Sequence, residues 1–175
     1  MNLIEKLLIF PINSIMKTID ISLIITLLFT GLMAGFFFSY TFSVNFGLQK
    51  LKDKDYLLAM QNINKEVLNP VFFICFFGAL LFCIVSSLLS IDFSSPKFYL
   101  ILLGALLYIF GVFVITGLQN VPLNNLLETF AIENANKEDL QKMRTIFEAP
   151  WIFWNNVRTL SSILSFLFLI ASSIK

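Results

Sequence analysis

A polar stripe with an arginine lies inside the last hydrophobic segment of the chain, WIFWNNVRTLSSILSFLFLIASSI, residues 151–174. Its polar residues recur at spacings of three and four: Asn155, Arg158, Ser162 and Ser165. That spacing puts them on one face of a helix. A guanidinium held inside a membrane protein can bind an anion, or stabilise an oxygen that becomes negatively charged during a reaction.

The sequence leaves the orientation and the partner of Arg158 open. The side chain could extend back to the lipid headgroups, or face the bundle interior, as ionisable residues in spans usually do. The neighbouring Asn155 favours the interior. An interior arginine needs an anion or several carbonyl acceptors. The alternatives are an acid (Glu128 is nearest by topology, Glu66 is another), backbone carbonyls with asparagine amides, and a ligand oxygen.

The composition is that of an integral membrane protein. Of 175 residues, 58% are hydrophobic and 13% are charged, against roughly 25% charged in soluble domains. This length favours a single membrane domain, residues 1–175. A net charge of +1 without a basic patch argues against nucleic acid as a partner.

The chain contains no histidine, the commonest metal ligand and the commonest general base near neutral pH. Histidine-ligated haem, copper and non-haem iron sites therefore cannot be built from this chain alone. We accordingly predict no metal site and no cofactor.

Four apolar segments are long enough to cross a bilayer, at about residues 21–48, 71–91, 98–118 and 151–174. They predict an all-α membrane protein, a four-transmembrane-helix bundle. Prolines are expected at the first position of the later spans: Pro70, Pro96 and Pro150. The first residues, MNLIEKLLIF, predict a short helix on the membrane surface.

The first and third connections carry amphipathic patterns, which predict interfacial helices. In the first connection the apolar residues are Tyr56, Met60, Ile63 and Val67. In the third, Asn136 is a helix cap that is followed by Leu140, Met143 and Phe147. The glycines Gly31, Gly35, Gly104 and Gly111 are expected where helices approach closely.

A four-span topology brings most polar residues to one end of the bundle, where the first and third spans end and the others begin. Phe36–Phe38 with Tyr40 could line an aromatic pocket there or pack in the core. Pro122 in NVPLNN predicts a helix break, whose asparagines cap a re-entrant turn or contact a ligand. The candidate ligand-binding residues are Arg158, Asn155, Asn120, Asn124, Asn64, Asn69, Trp154, Tyr40 and Glu128. No strong base is evident, so no catalytic residue is assigned.

Lysine and arginine are more numerous on the side of the two longer connections than on the side of the termini. By the positive-inside rule, the two longer connections face the cytoplasm. In a bacterial cell the membrane would be the inner membrane.

The chain resembles the anthrone oxygenase-like family of small four-span membrane proteins over about residues 25–170. The resemblance lies in GLMAGFFFSYTFSV, AMQNINKEVLNPVFF, GVFVITGLQNVPLNNLL and WNNVRTLSSI, in that order. It implies oxidation of an anthrone to an anthraquinone by molecular oxygen. Asn156 departs from the family pattern, in which histidine is frequent at this position.

Two functions follow. The first is binding of a planar, apolar phenol or quinone-like molecule in a polar pocket at one end of the bundle, with cofactor-free oxidation as the activity that the resemblance implies. The alternative is a non-catalytic membrane subunit, or a lipid- or quinone-binding scaffold, that assembles with another membrane protein or with itself.

Overall fold

The computed structural model describes the backbone of residues 3–174 and the side chains of residues 18–174. Over this range the chain is helical, without strands. The α-helices are α1 (Leu3–Ser39), α2 (Asn45–Leu48), α3 (Asp53–Glu66), α4 (Pro70–Leu89), α5 (Pro96–Tyr108), α6 (Val121–Glu128) and α7 (Lys137–Ile174). Three π-helical turns, Tyr40–Val44, Ile109–Val114 and Thr116–Asn120, join α1 to α2 and α5 to α6, and a short 3-10 turn, Ile132–Asn134, precedes α7.

Four helices in the described part of the chain are long and apolar enough to cross a membrane: Thr18–Leu48, Pro70–Leu89, Pro96–Glu128 and Lys137–Ile174. This confirms the predicted all-α, four-span fold, and the protein is an integral membrane protein. The side chains of the predicted N-terminal surface helix lie outside the described residues, and its backbone from Leu3 onward is part of α1.

The predicted helix starts are correct at two of the prolines. Pro70 and Pro96 each begin a helix, and Asn69 Oδ1 accepts a hydrogen bond of 3.0 Å from the backbone N–H of Phe72. Pro150 does not begin one, because α7 starts at Lys137 and passes through it. The buried residues Leu140, Phe147 and Trp151 keep one helical phase across the proline, so a single apolar face favours a continuous helix.

The expected break at Pro122 is also absent. The third span continues from α5 into α6 as one helix of 33 residues. The π-helical turn Thr116–Asn120 directly precedes the proline, and its wider backbone absorbs the irregularity that a proline introduces. Asn120 and Asn124 therefore share one helix face instead of capping a re-entrant turn.

Helix α3 lies across the end of the bundle and is fixed to α7 by Arg144. The guanidinium bonds Asp53 Oδ1 at 3.0 Å and Glu148 Oε2 at 2.5 Å, and it also donates to the backbone carbonyl of Leu51 at 2.7 Å. It stacks on the ring of Tyr56, 4.5 Å from the ring centre. Burial raises the pKa of Tyr56 above its usual value. These contacts hold α3 as a cap over the bundle.

The glycines show that the third span and α7 approach each other closely. A Cβ added at Gly104 would lie 2.9 Å from Leu169 Cγ and 3.1 Å from the Ser165 carbonyl oxygen, and one at Gly111 would clash with Ser161. Gly31 similarly faces the ring of Phe166. Gly35, in contrast, has no atom of the described chain within 4 Å of an added Cβ, so the predicted close packing does not occur there.

Substituting Gly104→Ala or Gly111→Ala is expected to destabilise the protein by about 1–3 kcal/mol, because either methyl group forces the third span and α7 apart. Gly35→Ala is the matched control, since it adds a better helix former in open space. Thermal unfolding in detergent measures all three. A loss of stability in Gly35→Ala as large as in Gly104→Ala would contradict this account of the packing.

Candidate functional site

A cavity of about 280 Å³ lies beneath α3 at the end of the bundle where the polar residues were expected. Its walls are largely aromatic, with phenylalanines from α1, α4 and the third span and with Trp151 from α7. Its polar residues are Tyr40, Asn64, Thr116, Asn120, Asn124, Asn155 and Arg158. Apolar walls with a few convergent polar groups are typical of small-molecule sites.

The π-helical turns bring several of these residues into position. Tyr40 begins the first turn, and Thr116 and Asn120 begin and end the third. A π-helical turn inserts an extra residue and so rotates the following side chains relative to an α-helix. Such turns occur frequently at functional sites, and here all three border the same cavity, the second through Phe113.

Arg158 is buried against this cavity, with only 6% of its surface exposed. Its Nη2 donates to Asn155 Oδ1 at 3.1 Å, and its Nη1 lies 3.4 Å from Thr116 Oγ1. The guanidinium carbon is 4.6 Å from the ring centre of Phe37 and 5.6 Å from that of Trp151. Neutral amide, hydroxyl and aromatic groups thus hold the cation without neutralising it.

None of the described carboxylates forms an ion pair with Arg158. Glu128 lies at the protein surface, where its Oε1 is 3.2 Å from Lys65 Nζ. Within residues 18–174, no Asp or Glu is within 4.0 Å of the Arg158 guanidinium. The same residues contain no group of three or more Cys, Asp or Glu side chains that could hold a metal ion.

Other polar atoms around the cavity are also unpaired. Buried side-chain atoms without a hydrogen-bond partner in the described chain include Arg158 Nε, Asn64 Nδ2 and Asn120 Oδ1. Asn124 is occupied, because its Oδ1 accepts a 2.9 Å bond from Trp151 Nε1. Buried polar groups without partners are uncommon and call for an explanation. Two donors and one acceptor here thus have no hydrogen-bond partner within the described chain.

The family model described as "Anthrone oxygenase" matches residues 70–168, more than half of the chain. The chain belongs to the anthrone oxygenase family. This confirms the resemblance from the start of α4 to near the end of α7, including NVPLNN and WNNVRT. The first span lies outside the match, so the resemblance in GLMAGFFFSYTFSV stays a prediction. No curated protein and no solved structure matches the chain.

Most of the residues predicted for the site of this anthrone oxygenase family member line the cavity: Arg158, Asn155, Asn120, Asn124, Asn64 and Tyr40. Three do not line it. Asn69 caps α4 and borders a neighbouring groove, and Glu128 pairs with Lys65. Trp154 lies against Phe153, with 4.9 Å between ring centres.

Trp151 was missed as a site residue, although the sequence contained a signal for it. It precedes Asn155 by four residues and Arg158 by seven, which is the spacing of the polar stripe. Trp154 is one position away from that stripe. The departure at Asn156 also lies outside the cavity, since its exposed side chain accepts a 3.0 Å hydrogen bond from Thr41.

Arg158→Met is expected to leave the protein as stable as the wild type or more stable, because it removes a buried charge that lacks a counterion. Asn155→Leu should cost about 1–3 kcal/mol, since it leaves Arg158 Nη2 without its acceptor. The double variant should recover part of that loss. Thermal unfolding in detergent tests this, and strong destabilisation by Arg158→Met alone would make the arginine a structural residue.

Proposed function

We propose that this member of the anthrone oxygenase family binds a planar, apolar aromatic molecule with an ionised oxygen, such as a phenolate or an enolate, in the cavity at Arg158. The observation that supports the proposal is a buried guanidinium without a carboxylate in the described chain. The ionised oxygen of the ligand supplies the missing charge.

Burying a lone cation costs several kcal/mol, and a bound anion offsets that cost. A charge-assisted hydrogen bond to the guanidinium is among the stronger polar contacts available to a ligand. The phenylalanines and Trp151 contact the faces of a flat ring system. A volume of about 280 Å³ is near the lower end of the roughly 300–1,000 Å³ of small-molecule sites and suits a few fused rings.

The activity that fits family membership is oxidation of an anthrone by molecular oxygen. Loss of a proton from the central CH₂ group of an anthrone gives an enolate, and Arg158 would stabilise its oxygen. The enolate carbon then bonds to O₂, and with a proton from solvent it gives a hydroperoxide. Loss of one water molecule converts the hydroperoxide to the second carbonyl. One anthrone and one O₂ thus become one anthraquinone and one water.

The hydroxynaphthoquinone with its hydroxyl on the quinone ring is a suitable probe, because it is flat, coloured and ionised at neutral pH, and its methyl ether has nearly the same shape without the charge. Arg158→Met should weaken hydroxynaphthoquinone binding by about 10- to 100-fold, as expected for a lost hydrogen bond to a charged group. Titration of the purified protein measures the affinities. Lys97→Met, which removes a cation near Asp20 at the opposite end, is the control.

The ether should bind wild type and Arg158→Met with similar affinity, because it carries no negative oxygen. Equal affinity of wild-type protein for hydroxynaphthoquinone and its ether would contradict the proposal. So would failure of both compounds to bind a folded, monodisperse protein.

A non-catalytic function is the second candidate, and the absence of a base in the cavity favours it. Among the described residues that line the cavity, none is an aspartate, glutamate or lysine, so the proton would leave by way of solvent. A binding subunit or scaffold, joined to another membrane protein or to a second copy, needs no base. Anthraquinone formation from anthrone in aerated buffer, faster with wild type than with Arg158→Met, separates an enzyme from a binder.

We also infer that the cavity end of the bundle faces the cytoplasm, in bacteria across the inner membrane. Most lysine and arginine residues lie on the side of the two longer connections, which the positive-inside rule assigns to the cytoplasm. A single cysteine at the exposed Lys142, in a cysteine-free background, should resist impermeant maleimides in intact cells. Labelling of that cysteine from outside would reverse the orientation.

A further inference from the structure

A groove between α1 and α4, with a volume of about 450 Å³, lies beside the Arg158 cavity. Five side chains border both spaces: Phe36, Tyr40, Ile63, Val67 and Phe72. The rings of Phe36 and Phe72, with 5.5 Å between their centres, belong to the wall that the two volumes share. A molecule that occupies both volumes therefore passes between these two rings, which must rotate apart to admit it.

The groove faces the lipid and is mostly apolar. Leu32 and Val71 on its rim are 52% and 71% exposed, and both lie in membrane-spanning helices. Its polar residues, Tyr40, Glu66 and Asn69, lie at the end near α3. From Tyr40 to Leu32 the groove runs along α1 for eight residues, which is roughly 12 Å toward the middle of the bilayer.

We propose that the ligand carries a hydrocarbon tail that occupies this groove while its oxygen-bearing ring lies at Arg158. The substrate class is then a lipid-soluble hydroxyaromatic molecule that enters from the bilayer between α1 and α4. The inference rests on the proposed function, because the ring must first bind at Arg158. It also goes further, since ring binding alone does not require the groove.

The arrangement matches the way such a molecule lies in one leaflet. Its polar ring stays near the membrane interface, beside the asparagines and Arg158, and its tail points to the bilayer centre. The apolar rim offers the tail surroundings like those of lipid, so the tail leaves the bilayer without a solvation cost. An open side toward lipid also lets a tailed molecule enter without passing through water.

Two probes and two variants test the proposal. The probes are hydroxynaphthoquinone and its decyl derivative, which adds the tail to the same ring. Val71→Trp places an indole in the groove, and Ile74→Trp is the control, since Ile74 is exposed on the same helix and lines neither cavity. Partition of the tail into detergent affects all variants equally, so the affinity ratios between variants carry the information.

Val71→Trp should weaken binding of the decyl compound by about tenfold or more, and binding of the tailless ring by less than about twofold. Ile74→Trp should change neither affinity. If the decyl compound binds Val71→Trp as well as wild type, or if both probes lose equally, the tail does not lie in the groove and ordinary lipid fills it. If neither probe binds the wild type, the proposed function fails, and the inference fails with it.

The unmodified protein offers a second measurement. Cys75 borders the groove and is partly exposed, whereas Cys83 is fully buried. The decyl compound should slow alkylation of Cys75 by N-ethylmaleimide, and the tailless ring should not. Peptide mass spectrometry reads both cysteines. Equal alkylation rates with the two probes, at concentrations that saturate the Arg158 cavity, would overturn the proposal.

Discussion

A guanidinium cannot lie in hydrocarbon without polar contacts, and much of the cavity end of the bundle follows from that constraint. Arg158 reaches a hydroxyl on the third span, the ring of Phe37 on α1 and the amide of Asn155 on its own helix. Those contacts come from three of the four spans. Because every one of the contacting groups is neutral, the charge is solvated without being cancelled.

Sequence periodicity correctly predicted the helix face of those cavity residues that lie on a helix without an irregular turn between them. Asn155 and Arg158 lie on an uninterrupted stretch of α7, so spacing alone put them on one face. Pro150 and Pro122 were misjudged because proline rules describe an isolated helix, whereas here the apolar face continues in phase across Pro150. The sequence contains no comparable sign of a π-helical turn. One extra residue shifts the spacing of the apolar residues by less than that spacing already varies along an ordinary helix.

The order of the four spans could not predict which side chains form ion pairs or which glycines contact a neighbouring helix. Glu128 and Arg158 share one end of the bundle, yet Glu128 points outward to Lys65 on α3. Gly31 and Gly35 form one motif, but only Gly31 meets a neighbour, the ring of Phe166. Both outcomes depend on how a helix is rotated about its axis, and each residue adds about 100° to that rotation.

Buried polar side chains are hydrogen-bonded at one end of the bundle and partly unpaired at the other. At the far end, the hydroxyls of Ser22 and Thr26 lie 2.7 and 2.8 Å from the Ser86 hydroxyl, and Thr26 Oγ1 is within 3.0 Å of two backbone carbonyl oxygens that can accept its proton. No residue of that cluster is among the described groups with an unpaired buried atom, whereas Arg158 and Asn64 at the cavity are. A chain that can pair its hydroxyls so completely at one end has the means to pair its amides at the other. The unpaired groups around the buried cation are therefore a feature of the cavity end, and they are the polar groups with which the proposed ligand would pair.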